Sequence, residues 1–162
     1  VQKHAYIPML TWVQWLAERF DGTGMDIIVK RHPKCEDTEV TAKIEQLKRE
    51  FDNITTSDES IHDLISGSCA VFTTNSGVGA EAMLHRKPIY TFGKCDYEYA
   101  THSVRSFDDF HDKTLSISPK LSEEDFLKFF YFYKTHHELA SRSAVRRRII
   151  SILKTHPAIE RR

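Results

Sequence analysis

The sequence predicts an α/β protein with a Rossmann-like, doubly wound parallel sheet. Short apolar runs rich in β-branched residues alternate along the chain with longer segments of helical periodicity, as in parallel sheets that are covered by helices. Glycine, proline or small polar residues follow each apolar run and end it. The turns after the strands would lie at the carboxyl edge of the sheet, where ligands of such folds bind.

The predicted helices and strands alternate from the amino terminus. An apolar stripe predicts a helix over residues 6–20, which two glycines close, and residues 26–30 predict a buried parallel strand. The next elements are a helix over 38–51, a short strand over 53–56, a helix over 60–67, a strand over 69–74, a turn over 75–79, a helix over 80–85 and a strand over 88–92.

The chain is less regular after residue 92. Residues 93–112 are rich in Tyr, His and Asp and predict a surface segment that covers a site, and residues 114–117 predict an edge strand. Ser122 is expected to cap an aromatic helix, and a last helix is expected over 141–155. These C-terminal helices would pack on the sheet.

The composition excludes several classes of protein. The chain has 162 residues, enough for one domain, and its 23 basic and 23 acidic side chains balance, so no nucleic-acid partner is expected. The three cysteines lie far apart without metal-ligand spacing, so neither a disulfide framework nor a metal site is predicted. No apolar run reaches the ~20 residues of a membrane span, and we expect a cytoplasmic protein.

The turn Thr74-Asn75-Ser76-Gly77-Val78-Gly79 is the first candidate site. Gly77 and Gly79 would let backbone N–H groups approach a ligand, and a helix beginning near Gly77 or Val78 would direct its positive end there. Ser76 adds a hydroxyl donor, so the turn predicts a phosphate site, and Glu81 could accept hydrogen bonds from ribose hydroxyls. The alternative is that the glycines serve only a tight turn, since the spacing matches neither a dinucleotide fingerprint nor a P-loop.

The run Lys30-Arg31-His32-Pro33 follows the first predicted strand and gives a second candidate. Pro33 favours an extended conformation before it, which would hold the His32 imidazole at the strand end, facing the cleft. A histidine there can donate to a phosphate or to a base carbonyl, and Lys30 and Arg31 add positive charge. For His32 alone, a loop histidine without a role is the alternative.

Three segments together resemble a known family. The runs 28–33, 70–82 and 87–93 are similar to the capsule-polysaccharide glycosyltransferases, which include 3-deoxy-manno-octulosonic acid (Kdo) transferases that use a CMP-sugar. The resemblance covers about residues 6–97. It implies the C-terminal, donor-binding domain of a GT-B enzyme, in which two Rossmann-like domains enclose the active site.

The resemblance also implies roles for single residues. His32-Pro33 and Ser76 would hold the donor nucleotide, and Glu81 would hold the ribose, without a metal or other cofactor. The nucleotide-site residues are then His32, Pro33, Asn75, Ser76, Gly77, Val78, Gly79 and Glu81, with Lys30, Arg31, Lys94 and Tyr97 as accessory residues. Lys94 and Tyr97 occupy the place of a Gly-x-x-x-Tyr element that lies close to the sugar in such enzymes.

A larger enzyme is the further implication. Residues 1–162 would form one nucleotide-sugar-binding domain and residues 1–5 the remnant of a first strand or a linker, so we interpret the chain as a fragment. Residues 120–162 would then pack on the sheet or toward a missing N-terminal domain. The N-terminal domain of such enzymes often carries the catalytic base, so the fragment alone is expected to be inactive. The expected partners are a CMP-linked sugar, a polysaccharide or glycolipid acceptor, that N-terminal domain and, peripherally, the inner membrane.

Two other functions stay open from the sequence. Non-hydrolysing UDP-sugar 2-epimerases share the fold and have a similar turn, but theirs is usually Asp-Ser-Gly-Gly with paired glutamates, whereas Asn75 and a single Glu81 stand here. A flavodoxin-like regulatory module that is not an enzyme would be expected to carry acidic residues at the strand ends, where His32 and Asn75 stand. Preference for UDP over CMP would favour the epimerase, and failure to bind nucleotide would favour the module.

Overall fold

The computed structural model describes residues 4–32, 36–111 and 115–137, with side chains up to residue 135. The chain divides into two compact units, residues 1–120 and 121–162. In the first unit the elements are α1 (Met9–Phe20), β1 (Ile27–Val29), α2 (Thr38–Glu50), β2 (Ile54–Thr56), α3 (Ile61–Gly67), β3 (Val71–Thr73), α4 (Gly77–Leu84), β4 (Ile89–Thr91), a 3-10 turn (Glu98–Ala100), β5 (His102–Ser103) and α5 (Phe107–His111). The described part of the second unit contains α6 (Glu123–Phe132) and a π-helical turn (Tyr133–His137).

The strands are parallel and form two small sheets. β1 pairs with β2, with Val29 opposite Thr56, and β3, β4 and β5 pair in that order, with Thr73 opposite Thr91. The predicted class, an α/β protein with parallel strands between helices, is confirmed. The strands are only two or three residues long and lie in two sheets rather than in one continuous sheet.

The strand β1 is less buried than its composition predicts. Ile27 and Val29 pack against the core, but Ile28 is 51% exposed, so a strand buried on both faces is the wrong description. Successive side chains of a strand point to opposite faces, so only the face that carries Ile27 and Val29 is covered by the described residues. An apolar run alone does not distinguish a strand covered on one face from a strand covered on both.

Helix α1 joins both sheets to one core. Trp12 stacks on Phe92, which follows β4, with ring centroids 4.6 Å apart. At the other end of the helix, Asn53 precedes β2 and donates from its side chain to the Ala17 carbonyl at 3.2 Å. The buried residues of this core are Ile7, Trp12, Val13, Leu16, Ala17, Leu47, Ile54, Tyr90, Phe92, Val104 and Phe110.

The segment after β4 is part of the core, not a surface cover. Residues 93–111 contain β5 and two short helical segments, and Tyr97, Val104 and Phe110 are buried. The Thr101 hydroxyl of this segment forms a buried hydrogen bond of 2.8 Å with the hydroxyl of Thr91 at the end of β4. The predicted surface segment is therefore wrong, and the described part of the predicted edge strand, residues 115–117, is not a strand.

Both chain ends are described in part. Ala5 forms an isolated antiparallel bridge with Gly93, and residues 1–3 lie outside the described residues. Ser122 caps α6 as predicted, because its Oγ accepts from the Asp125 amide at 3.1 Å. The predicted helix over 141–155 lies outside the described residues. Among the helices that the structure describes, none is long and apolar enough to cross a bilayer.

Candidate functional site

The helix that follows the loop after β3 begins at Gly77 and is capped by a serine. Ser76 is the N-cap of α4, and its Oγ accepts from the Val78 amide at 3.4 Å. Gly77, Val78 and Gly79 therefore belong to the first helical turn. The helix start near Gly77 or Val78, on which the predicted phosphate site depends, is confirmed, whereas the start at Ala80 expected from the helix-forming residues is wrong. Glycines disfavour a helix, but a serine cap satisfies amides that the first turn leaves unpaired.

Three atoms of Ser76 are held by neighbours. Its amide donates to Thr73 Oγ1 at 3.3 Å, its carbonyl accepts the Tyr97 hydroxyl, and its Oγ accepts the cap bond. The Gly79 amide also donates to the Ser76 carbonyl, at 3.0 Å. The position of Ser76 is therefore set from three sides. The hydroxyl oxygen of Ser76 already accepts the cap bond, so its hydroxyl hydrogen is the atom that could be donated to a ligand.

The two glycines of α4 differ in their surroundings. A Cβ added at Gly77 would meet no heavy atom within 4 Å, so open space lies in front of this residue. A Cβ added at Gly79 would lie 2.5 Å from Cε2 and from the hydroxyl oxygen of Tyr97. Close approach of a ligand therefore remains an explanation for Gly77, whereas the Tyr97 ring explains Gly79.

Tyr97 is placed inside the core and behind the loop. The side chain is 2% exposed, and its ring packs on Gly79 while its hydroxyl holds the Ser76 carbonyl. A residue in this place positions the loop, and the predicted place of Tyr97 close to the sugar stays a prediction. Lys94, the other accessory residue of this segment, is exposed, and its amide donates to the His4 carbonyl at 2.9 Å.

Glu81 lies on the second turn of α4, beside α3. Its Oε2 is 3.6 Å from His62 Nε2, and the two side chains are 42% and 56% exposed. The other ring nitrogen of His62, Nδ1, is 3.1 Å from His85 Nε2. The predicted ribose contact of Glu81 stays a prediction, and His62 is a competitor for one of the carboxylate oxygens.

The basic run after β1 stands at the carboxyl end of the other sheet. Arg31 is half-buried, His32 is exposed, and Pro33 lies outside the described residues. The structure thus brings Ser76, Gly79 and Tyr97 together, whereas His32 and Ser76 follow strands of different sheets. A cavity of about 170 Å³ lies beside Arg31, between the ends of β1 and β2 and the first half of α2.

A carboxylate that sequence reasoning missed lies at the base of the segment after β4. Glu98 accepts from the Tyr6 hydroxyl at 3.2 Å, from Ser103 Oγ at 2.9 Å and from Arg105 Nη2 at 2.9 Å. Burial favours its neutral form, but the three donors outweigh burial and hold the pKa of Glu98 below its ordinary value. The partner Tyr6 is 92 residues away in the chain, so no local sequence pattern predicts this network.

The thiol of Cys95 is not placed as a nucleophile. Burial raises the pKa of Cys95 to about 11, so the thiol stays protonated near neutral pH, and only a thiolate attacks or binds a metal well. In the part of the chain that the structure describes, no group of three or more His, Cys, Asp or Glu residues is arranged to hold a metal ion.

The fold and this loop define a parallel α/β protein whose candidate site lies at the carboxyl ends of its strands. Residues 16–136 match the family model of capsule polysaccharide biosynthesis proteins, and the chain belongs to this family. No curated protein and no solved structure shows a significant similarity to the chain. The resemblance seen in the sequence is therefore confirmed at the level of capsule polysaccharide biosynthesis.

Proposed function

We propose that the chain binds the nucleotide of an activated sugar and is the donor-binding part of a glycosyltransferase of capsule synthesis. One observation carries the proposal: Ser76 is held by three neighbours at the start of α4, with open space in front of Gly77. Membership of the capsule polysaccharide biosynthesis family supports it independently, because polymer synthesis needs activated sugars.

The phosphate of the donor would lie at the start of α4. Helix N-termini favour anions through their unpaired amides and the helix dipole, and the open side of Gly77 lets a phosphate oxygen approach. The Ser76 hydroxyl would donate its hydrogen to the same group, and His32 would add a donor from the end of β1. As in the sequence-based prediction, the donor is a CMP-linked, Kdo-like sugar and Glu81 accepts from the ribose.

The same donors would assist the reaction. When the bond from sugar to phosphate breaks, negative charge develops on the departing nucleotide, and donors fixed in advance stabilise that charge without reorganising. The acceptor is a growing surface polysaccharide or glycolipid, and the catalytic base comes from an N-terminal domain of the full enzyme. This chain would then bind nucleotide weakly and transfer no sugar by itself.

Thermal protection by CMP tests the proposal. A ligand that binds only the folded state raises the unfolding temperature with its concentration, and we expect CMP to do so more than UMP does. Ser76→Asp keeps a good helix cap but places a carboxylate against the phosphate, so it should abolish protection without unfolding the protein. His32→Ala should weaken CMP binding at least about tenfold, the cost of one hydrogen bond to a charged group.

The matched control is Ser122→Ala, which removes the cap of α6. It should lower stability by about 1 kcal/mol and leave protection by CMP unchanged. Undiminished protection of both Ser76→Asp and His32→Ala would contradict the site. Stronger protection by UMP than by CMP would contradict a CMP-linked donor.

A further inference from the structure

The cavity between β1, β2 and α2 has the shape and chemistry of a small polar binding site. Val29 pairs with Thr56 at the end of the two strands, so the residues that follow both strands emerge at the same edge. Thr41, Ile44 and Glu45 share one face of α2 because of their helical spacing. The polar lining consists of Arg31, Thr41, Glu45, Thr56, Ser57 and Asp58.

The size of the cavity limits the ligand. Its volume is about 170 Å³, which is less than the ~300–1,000 Å³ of typical sites for drug-sized molecules. A complete nucleotide-sugar is larger than such a site, but one ring with its substituents fits. Val29 and the buried Ile44 supply an apolar floor on which the C–H face of a ring can lie.

The charges of the lining disfavour a phosphate. Among the lining residues Arg31 is the one cation and Asp58 and Glu45 are anions, and Glu45 is itself paired with Lys48 at 3.0 Å, so the cavity has no excess of positive charge. The oxygens of Thr41 and Ser57 are anchored, because Thr41 donates to the Asp37 carbonyl at 3.1 Å and Ser57 accepts from the Glu59 amide at 3.1 Å. Fixed donors and acceptors of both kinds suit vicinal hydroxyl groups, each of which donates and accepts.

We propose that this cavity binds a single sugar ring, with Asp58 accepting from ring hydroxyls and Arg31 donating to them. The inference rests on the proposed function, because the sugar is that of the donor or of the acceptor polysaccharide. It assigns Arg31 to the sugar and not to the phosphate. The proposed nucleotide site at Ser76 uses other residues, so an experiment can contradict the sugar site without contradicting the nucleotide site, and the reverse.

Amide chemical shifts of the 162-residue chain test the cavity directly. D-glucose, D-galactose and N-acetylglucosamine at millimolar concentration should shift the amides of Arg31, Thr56 and Asp58, and inorganic phosphate should not. Asp58→Ala should weaken the saccharide that binds best by about tenfold or more, as expected for a lost hydrogen bond to a charged group. The control Asp63→Ala changes an exposed carboxylate on α3, outside the cavity, and should leave binding unchanged.

A CMP-linked sugar separates the two sources of the ring. If the donor sugar fills the cavity, CMP-N-acetylneuraminate shifts the amides at both Ser76 and Asp58, and Asp58→Ala removes only the second set. If an acceptor unit fills it, free saccharides shift the Asp58 amide and the CMP-sugar does not. The proposal is overturned if neither the free saccharides nor the CMP-sugar shifts the amides of Arg31, Thr56 and Asp58, or if inorganic phosphate shifts them. Shifts at Ser76 by CMP test the proposed function alone.

Discussion

Replacing Gly79 by alanine should destabilise the first unit through one contact, the Tyr97 ring. The added Cβ would lie 2.5 Å from two atoms of this ring, and overpacking of this kind costs about 1–3 kcal/mol. If the ring retreats, its hydrogen bond to the Ser76 carbonyl is lost at a cost of about 1 kcal/mol. The helix gains about 1 kcal/mol when alanine replaces glycine, so a net loss of roughly 1–3 kcal/mol remains.

Gly77→Ala is the matched comparison within the same helical turn. No heavy atom lies within 4 Å of its added Cβ, so only the helix gain remains, and we expect the unfolding free energy to stay unchanged or to rise by up to about 1 kcal/mol. The same variant should weaken CMP binding, because the methyl group would occupy the open space in front of the loop. The glycine at position 79 is thus needed for stability, and the glycine at position 77 for access of the ligand.

Urea unfolding followed by tryptophan fluorescence measures this difference. The protein has 2 tryptophans, both on α1, and Trp12 stacks on Phe92. With a slope of about 2 kcal/mol/M, a loss of 2 kcal/mol lowers the midpoint by roughly 1 M. In a Tyr97→Phe background Gly79→Ala should cost less, since one clashing atom and the hydrogen bond are gone. Equal stability of the Gly77→Ala and Gly79→Ala variants would refute the reasoning.

Three further outcomes follow from buried polar groups and thiols. The folded-state pKa of Glu98 is depressed, so the stabilisation that Glu98 gives is present above its ordinary pKa of about 4.5 and is lost as the pH falls through the lower, folded value. Glu98→Gln should therefore make the urea midpoint less dependent on pH in this acidic range. An unchanged dependence would contradict the depressed pKa. Cys69 is exposed and should react with a thiol reagent much faster than Cys95, whose pKa burial raises to about 11; equal rates in native protein would contradict this. Asn53→Ala should destabilise by about 1–3 kcal/mol, since the buried Ala17 carbonyl loses its side-chain donor, and a neutral change in urea midpoint would contradict the bridge from α1 to β2.

Local patterns predict the alternation of helices and strands well. The helix over 38–51 and the strand over 53–56 correspond to α2 and β2 within one or two residues, because an apolar stripe and a β-branched run are both read within a few residues. For the start of α4, the glycines favour a turn through residue 79 and the anion-site argument favours a start near Gly77 or Val78. The interaction that decides for the earlier start is the bond from the Val78 amide to Ser76 Oγ.

Non-local packing explains the remaining differences. The separation into two sheets depends on which strands pair, and no short pattern in the sequence specifies that pairing. Tyr97 and Phe110 are spaced irregularly in a polar segment, so their burial follows from non-local contacts, those of Tyr97 with α4 and those of Phe110 with Phe92 and Trp15. In the site, the sequence indicated Ser76 and Gly77 through the chemistry of the turn, but the positioning role of Tyr97 needs the folded chain.

The most direct test of the nucleotide site is a CMP titration of isotope-labelled protein followed by amide chemical shifts, which detects weak binding. We predict saturating shifts at Ser76, Gly77 and Val78, at the start of α4, that disappear in Ser76→Asp and persist in Ser122→Ala. Saturating shifts that leave these three amides unchanged, or no shift at any CMP concentration, would contradict the proposal that this turn holds the nucleotide of an activated sugar.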